Sequence, residues 1–246
     1  MNPKMLPDPQ TAASVKRALR AYADPQRAKL CLRFFRTGPG EYGEDDRFLG
    51  PSVPQVRAVV RRHRALPEAE ILALLASPWH EDRLAALLVW VEHAKDATKL
   101  PTIAKDYLAH TDRINNWDLV DSSADKVLGP WVAADPAKRF ATIEQLAHSR
   151  HLWERRIAIL TTFHFTRRGD VSPCFRITEL LIADPHDLIH KACGWMLREA
   201  EKREPAAVRV FLQKHLPRLP RTLLRYAIER FPEPERRRYL SGTGIR

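Results

Sequence analysis

The chain has 246 residues, enough for one large domain or two small ones with a well-buried core. Its composition, 44% hydrophobic and 29% charged, is that of a soluble globular protein. Lysine and arginine (41) outnumber aspartate and glutamate (30), giving a formal net charge of +11. An excess of this size points to a polyanionic partner, most often nucleic acid.

The sequence predicts neither a membrane span nor a secretion signal. Its longest apolar run, Leu84 to Val91, is too short to cross a bilayer, and the N-terminal MNPKMLPDPQ lacks the apolar stretch of a signal peptide. The cysteines, Cys31, Cys174 and Cys193, form no CxxC pair and no disulfide framework. We therefore expect a cytoplasmic, nucleoid-associated protein that does not bind membranes.

Helical periodicity dominates from the N-terminus onward. Apolar residues recur at three- and four-residue intervals in segments such as EILALLAS, RLAALLVWVEHA and RRIAILTTFHF, and most such segments begin with Ser, Asp, Asn or Pro. The exception is residues 37–52, whose glycines and prolines predict a long ordered loop between the second and third helices. The C-terminal SGTGIR is expected to fray. Since no alternating strand pattern is found, the fold is predicted to be all-α.

The helices come in pairs that repeat along the chain. Alignment of the second helix of each pair places residues of one register 34 to 38 positions apart, namely Arg83, Asp121, Arg156, Lys191 and Arg225. Two positions after each comes a small residue, namely Ala85, Ser123, Ala158, Cys193 and Ala227. Small residues at such positions let neighbouring helices approach closely.

Two-helix units at a fixed period predict an α-solenoid, in which each unit buries its apolar face against its neighbours. The period is shorter than the about 40–47 residues of HEAT units, but the tetratricopeptide signature W-x2-L-G-x2-Y is absent, so divergent HEAT-like repeats are predicted. We expect a single domain over residues 1–246. N-terminal helices (8–65) would precede helix pairs at about 67–231, followed by a short C-terminal helix.

Stacked second helices would line a concave, basic surface suited to a phosphate backbone. The predicted DNA contacts in this row are Arg83, Arg156, Lys191 and Arg225. Asp121 interrupts the row with a carboxylate, and Trp117 lies one helical turn before it on the same face. Trp195 lies one turn after Lys191, two repeats further on. An ion pair for Asp121 and ordinary packing for the two indoles are the alternatives.

These residues resemble a known family. NNWDLVDSSA, LWERRIAIL and KACGWMLREA, with the upstream FFRTGPGEYGEDDRFLGPSVPQVR, are similar to the AlkD-type DNA alkylation repair glycosylases over about residues 10–235. The resemblance implies HEAT-like repeats and an enzyme that removes positively charged N3- and N7-alkylated purines from duplex DNA. The bond cleaved is the N-glycosidic bond, and the lesion is thought to stay stacked.

By position, the resemblance implies that Asp121 is the catalytic carboxylate, that Trp117 and Trp195 flank the sugar, and that Arg156 holds a phosphate. Phe34 departs from the pattern because some members have tyrosine there, so no hydroxyl role carries over. We expect no metal and no nucleotide or other cofactor. The expected partner is double-stranded DNA with alkylated purines, bound by a monomer.

The chemistry of the residues agrees with this resemblance. A purine alkylated at N7 or N3 already carries a positive charge and leaves without a general acid, so one of the two carboxylates of a glycoside hydrolase is not needed. His186 and His190 have the spacing of a metal-binding helix, but the accompanying glutamate and a third ligand are absent. Two alternatives stay open, a non-catalytic HEAT-repeat protein that binds DNA structures and a protein-binding scaffold.

Overall fold

The computed structural model describes residues 8–241, which are mostly helical, and so confirms the predicted all-α class. The chain divides into two compact units, one ending at Ser123 and the other beginning at Ala124. No helix in this described range is long and apolar enough to cross a membrane. Most of the N-terminal MNPKMLPDPQ and of the tail SGTGIR lies outside the described residues. The single domain stays a prediction.

The first unit is built around one fully buried helix. Its helices are α1 (Ala12–Arg20), α2 (Pro25–Phe34), α3 (Val53–Arg62), α4 (Glu68–Leu75), α5 (His80–His93), α6 (Leu100–Ala109) and the first part of α7 (Trp117–Ala134). α5 is buried from His80 to Val91 because α1, α3, α4 and α6 all pack against it. The predicted long loop connects α2 to α3.

The second unit continues the helix pairs. Its helices after α7 are α8 (Pro136–Ala147), α9 (Leu152–Thr161), the short α10 (Phe163–Thr166), α11 (Ser172–Leu181), α12 (Asp187–Glu201), α13 (Pro205–His215), α14 (Arg221–Ala227) and α15 (Glu233–Ser241). α8 packs on α9 and α11 packs on α12, while α12 contacts α9 on one side and α14 on the other. Pairs whose second helices stack in sequence are the arrangement expected of HEAT-like repeats.

The small residues of the repeat lie where helices meet. All five are at most 1% exposed, namely Ala85, Ser123, Ala158, Cys193 and Ala227. Ser123 also makes a hydrogen bond, since its hydroxyl oxygen lies 2.8 Å from that of Tyr107, between α7 and α6. The register derived from the sequence therefore identifies buried positions on the helices correctly.

Gly194 marks a close approach of α12 to α14. A Cβ at this position would lie 2.5 Å from the carbonyl oxygen of Leu223 and 2.5 Å from Cβ of Tyr226. We expect Gly194→Ala to lower the free energy of unfolding by about 1–2 kcal/mol, because the steric cost exceeds the gain in helix propensity. Urea unfolding measures the change.

The control for this prediction is Gly38→Ala in the long loop. A Cβ there would meet only the flexible side chain of Glu41, at 3.0 Å. Its effect should stay within about 0.5 kcal/mol, as for most surface substitutions. Equal stability of the two variants would contradict the tight packing at Gly194.

Candidate active site

α7 carries two of the predicted site residues in its first turns. Trp117 and Asp121 lie one helical turn apart, and both are partly exposed. The turn is well capped, because Asn116 Oδ1 accepts from the Trp117 N–H at 2.8 Å and Asp118 Oδ1 accepts from the Leu119 N–H at 2.9 Å. These bonds satisfy N–H groups that a helix leaves unpaired at its start. The structure therefore brings an indole and a carboxylate together on one rigid element.

Trp117 rests on an aromatic stack formed by Phe35, which directly follows α2, and Phe48 of the long loop. The Trp117 ring lies 5.2 Å from that of Phe35 at an interplanar angle of 23°, and Phe35 lies 4.9 Å from Phe48. Phe34, which is 64% exposed, meets Trp117 edge-on at 5.6 Å. The indole is thus fixed by stacking while part of it stays accessible.

The long loop is held on the first turn of α5. The Glu81 carboxylate accepts the N–H groups of Leu49 and Gly50, each at 2.9 Å, and the His80 N–H donates to the Arg47 carbonyl at 2.8 Å. Gly50 has a φ of 96°, and a Cβ there would lie 2.3 Å from the Asp24 carbonyl oxygen, so only glycine fits. These bonds fix the loop and, with it, the aromatic stack under Trp117.

A buried charge network lies beside the aromatic stack. His80 bridges two carboxylates, with Nδ1 at 2.8 Å from Asp46 and Nε2 at 2.8 Å from Asp118. Asp46 also pairs with Arg83 and accepts from Asn116 Nδ2 at 3.1 Å. The network therefore joins the long loop, the first turn of α5 and the start of α7.

Both central groups of this charge network are ionised at neutral pH. Burial alone would lower the pKa of His80, but the adjacent Asp118 and Asp46 raise that pKa to about 9. Burial would raise the pKa of Asp46, but its bonds to His80 and Arg83 lower that pKa to about 2. Charge-assisted hydrogen bonds consequently anchor the turn that presents Trp117.

Arg83, which is predicted to contact phosphate, is buried within this charge network. Arg83 is 3% exposed, pairs with Asp46 and donates from Nη1 to the Ser77 carbonyl at 3.1 Å. Because the long loop covers this end of α5, contact with a phosphate would require Arg83 to leave these partners. One sequence signal pointed to this outcome. A helix that is apolar on all sides, as over residues 84–91, is buried, and its flanking charges are then buried with it.

The other predicted site residues lie in the second unit. Arg156 on α9 is 5% exposed and donates from Nη1 to a backbone carbonyl of α12 at 2.8 Å. Lys191 on α12 pairs at 2.8 Å with the aspartate one turn before it, and Trp195 lies one turn later, 6.1 Å from the Phe163 ring. Arg225 on α14 is exposed. Their roles toward DNA stay predictions.

The described residues contain no group of three or more His, Cys, Asp or Glu side chains that could hold a metal. The histidine pair on α12 has other partners. His186 caps the helix, because its Nδ1 accepts from the Leu188 N–H at 3.1 Å, and His190 Nε2 lies 2.6 Å from the Asp184 carbonyl oxygen. Both histidines therefore bond to groups at the start of α12.

Comparison with known proteins identifies the family. A family model described as DNA alkylation repair enzyme matches residues 15–231. The chain belongs to the DNA alkylation repair enzyme family. Membership supports a role as an enzyme of alkylation repair with DNA as its substrate, and it confirms the resemblance found in the sequence.

One solved structure similar to this member of the DNA alkylation repair enzyme family is titled "Predicted DNA alkylation repair enzyme from Enterococcus faecalis". The two chains have a TM-score of 0.67 and 17% sequence identity, and the match covers 86% of this chain and 97% of the other. At this identity, the likeness shows a shared fold. No curated protein matches the sequence.

Proposed function

We propose that this protein is a DNA glycosylase that hydrolyses the N-glycosidic bond of positively charged N3- and N7-alkylated purines in duplex DNA. One observation carries the proposal. A partly exposed indole, Trp117, is held by stacking one helical turn before the carboxylate of Asp121. Family membership supports DNA as the substrate, and this pair supplies groups suited to a cationic reaction centre.

The proposed reaction needs one anion and one water. The bond between C1′ and the purine nitrogen breaks, and its electron pair goes to the base, which leaves as a neutral molecule. Positive charge builds up on the sugar, where the Asp121 carboxylate stabilises it and orients the attacking water. The water oxygen bonds to C1′ and its proton is released. An undamaged purine, which carries no charge, leaves too slowly for this assistance to matter.

Indoles and cations have complementary roles in the proposal. The face of Trp117 attracts the developing positive charge by a cation–π interaction, and Trp195 is proposed as the second indole beside the sugar. Lys191 and Arg225 are proposed to bind backbone phosphates and so to hold the duplex. Arg156 is proposed as a further phosphate ligand, which requires its guanidinium to leave the carbonyl of α12.

Trp117→Ala is expected to slow single-turnover release of N7-methylguanine by about 2- to 30-fold. This range corresponds to the roughly 0.5–2 kcal/mol of a cation–π contact, at 1.36 kcal/mol per tenfold. Trp117→Phe should recover part of the rate, because a phenyl ring can still stack on Phe35. Trp131→Ala, in the last part of α7, is the control. A Trp117→Ala rate equal to that of Trp131→Ala would contradict the role of the indole.

The proposal is tested by comparing a positively charged lesion with a neutral one. The wild-type protein is incubated with one duplex sequence containing either cationic N7-methylguanine or neutral hypoxanthine, and the free base is quantified. Release of the cationic base alone is expected. Similar release of both bases would contradict electrostatic selection. Binding of both duplexes without any release would favour the non-catalytic DNA-binding alternative.

A further inference from the structure

A groove in the first unit, away from the candidate active site, is lined by several arginine side chains. Its walls include Arg57, Arg61 and Arg64 on one side and Leu88, Val91 and Glu92 of α5 on the other, and its volume is about 310 Å³. The spacing of four and three residues places the three guanidinium groups along one face of α3 and the turn after it. We call this feature the arginine groove.

A second cavity next to the arginine groove is also lined by basic residues. That cavity has a volume of about 670 Å³, shares Arg64 with the groove and is also lined by His93 and Lys99. Its carboxylate, Glu68, accepts a hydrogen bond from the Trp90 indole at 2.6 Å. The two cavities together form a basic strip along the first unit.

The three arginines of the groove are exposed and are not neutralised. The neighbouring Arg62 pairs with Asp8 at 3.3 Å, and Glu92 in the groove pairs with Lys95 at 2.6 Å. Between residues 8 and 241, no carboxylate lies within the 4.0 Å ion-pair distance of Arg57, Arg61 or Arg64. Guanidinium groups in this state suit phosphate oxygens, which they bind in bidentate geometry.

α5 connects this groove to the candidate active site. His80, at the start of α5, bonds to Asp118 beside Trp117, whereas the groove is lined by residues 88–92 of the same helix. Eight to twelve residues at about 1.5 Å per residue separate the two places by about 12–18 Å. A duplex advances about 3.4 Å per base pair. For a duplex that lies along α5, the separation corresponds to about four to five base pairs.

We infer that the arginine groove binds the phosphodiester backbone of a duplex that lies along α5, about four to five base pairs from the lesion. The inference rests on the proposed function for the position of the lesion. Contacts of this kind carry no sequence information and add salt-sensitive affinity, because each phosphate bound releases condensed counterions. The groove is thus a DNA contact separate from the register row of the repeats.

The test measures binding of an undamaged duplex against salt concentration for wild type and for the triple variant R57A/R61A/R64A. The slope of log affinity against log salt should become shallower by about 2–3, since each phosphate contact contributes about 0.9. The control is the triple variant R62A/R236A/R237A. This control removes the same charge from arginines that are paired with Asp8 and Glu233. Its slope should change by less than the about 0.9 that one phosphate contact contributes.

An equal change of slope in both triple variants would show that only net charge matters and would contradict DNA binding by the groove. An unchanged slope in R57A/R61A/R64A would overturn it as well. Release of alkylated base by wild type is measured separately. A shallower slope for R57A/R61A/R64A with no base release by wild type would support the groove as a DNA contact and refute the glycosylase activity. Base release by wild type with an unchanged slope for the variant would support the glycosylase activity and refute the groove.

Discussion

Asp121→Asn is expected to slow single-turnover release of N7-methylguanine by roughly 10²–10³ while the variant still binds duplex DNA. The asparagine keeps the shape of the side chain but removes the negative charge that faces the developing cation. Loss of one preorganised electrostatic group of this kind typically costs about 2.7–4 kcal/mol of transition-state stabilisation. Rates under enzyme excess and binding of an undamaged duplex are measured side by side.

The control for Asp121→Asn is Asp112→Asn, which removes the same charge from an exposed aspartate before α7. This control should release base at the wild-type rate. Full activity of Asp121→Asn would contradict the proposed catalytic role of the Asp121 carboxylate. Equal slowing of both variants would indicate a general effect of charge on DNA binding.

His80→Gln is expected to lower the free energy of unfolding by about 3–5 kcal/mol, the usual cost of removing one partner from a buried ion pair. Two carboxylates, Asp46 and Asp118, lose their shared cation in this variant. Denaturant unfolding measures the loss. His148→Gln, at an exposed position, is the control and should stay within about 0.5 kcal/mol of wild type.

The charge network also predicts how stability changes with pH. The pKa of His80 rises from 6.5 to about 9 on folding, so its contribution is complete below pH 6.5 and is lost as pH rises through about 9. The pKa of Asp46 falls from 3.8 to about 2, so its contribution is complete above pH 3.8 and is lost as pH falls through about 2.

Between pH 6.5 and 9, wild type should therefore lose on the order of 3 kcal/mol more unfolding free energy than His80→Gln loses. The comparison isolates His80 because other groups titrate in both proteins. Parallel stability profiles over this range would contradict a charged His80. Since the same network anchors the start of α7, base release by His80→Gln should be slow as well, and Trp117 fluorescence should report the disturbed stack.

The sequence predicted those features that depend on residues close together in the chain. The helices follow from apolar residues three and four positions apart, and the helix contacts follow from the small residues of the repeat, such as Ala85 and Ala158. Trp117 and Asp121 were placed on one face of a helix for the same reason, because they are one helical turn apart. Local spacing is enough for each of these inferences.

Features that depend on distant contacts were missed. Asp46 pairs with Arg83 across 37 positions, and the Leu49 N–H donates to Glu81 across 32. Nothing in the spacing of a two-helix repeat indicates that the long loop folds back over α5. The burial of Arg83 and the aromatic stack under Trp117 both result from that docking.

The glycosylase activity is best tested by measuring the release of free N7-methylguanine from a defined duplex with the wild-type protein in excess. Free base and abasic duplex are expected to appear together in equal amounts, with no metal or cofactor added. A protein that binds the same duplex and releases no base would contradict this activity and would leave a non-catalytic DNA-binding member of the family.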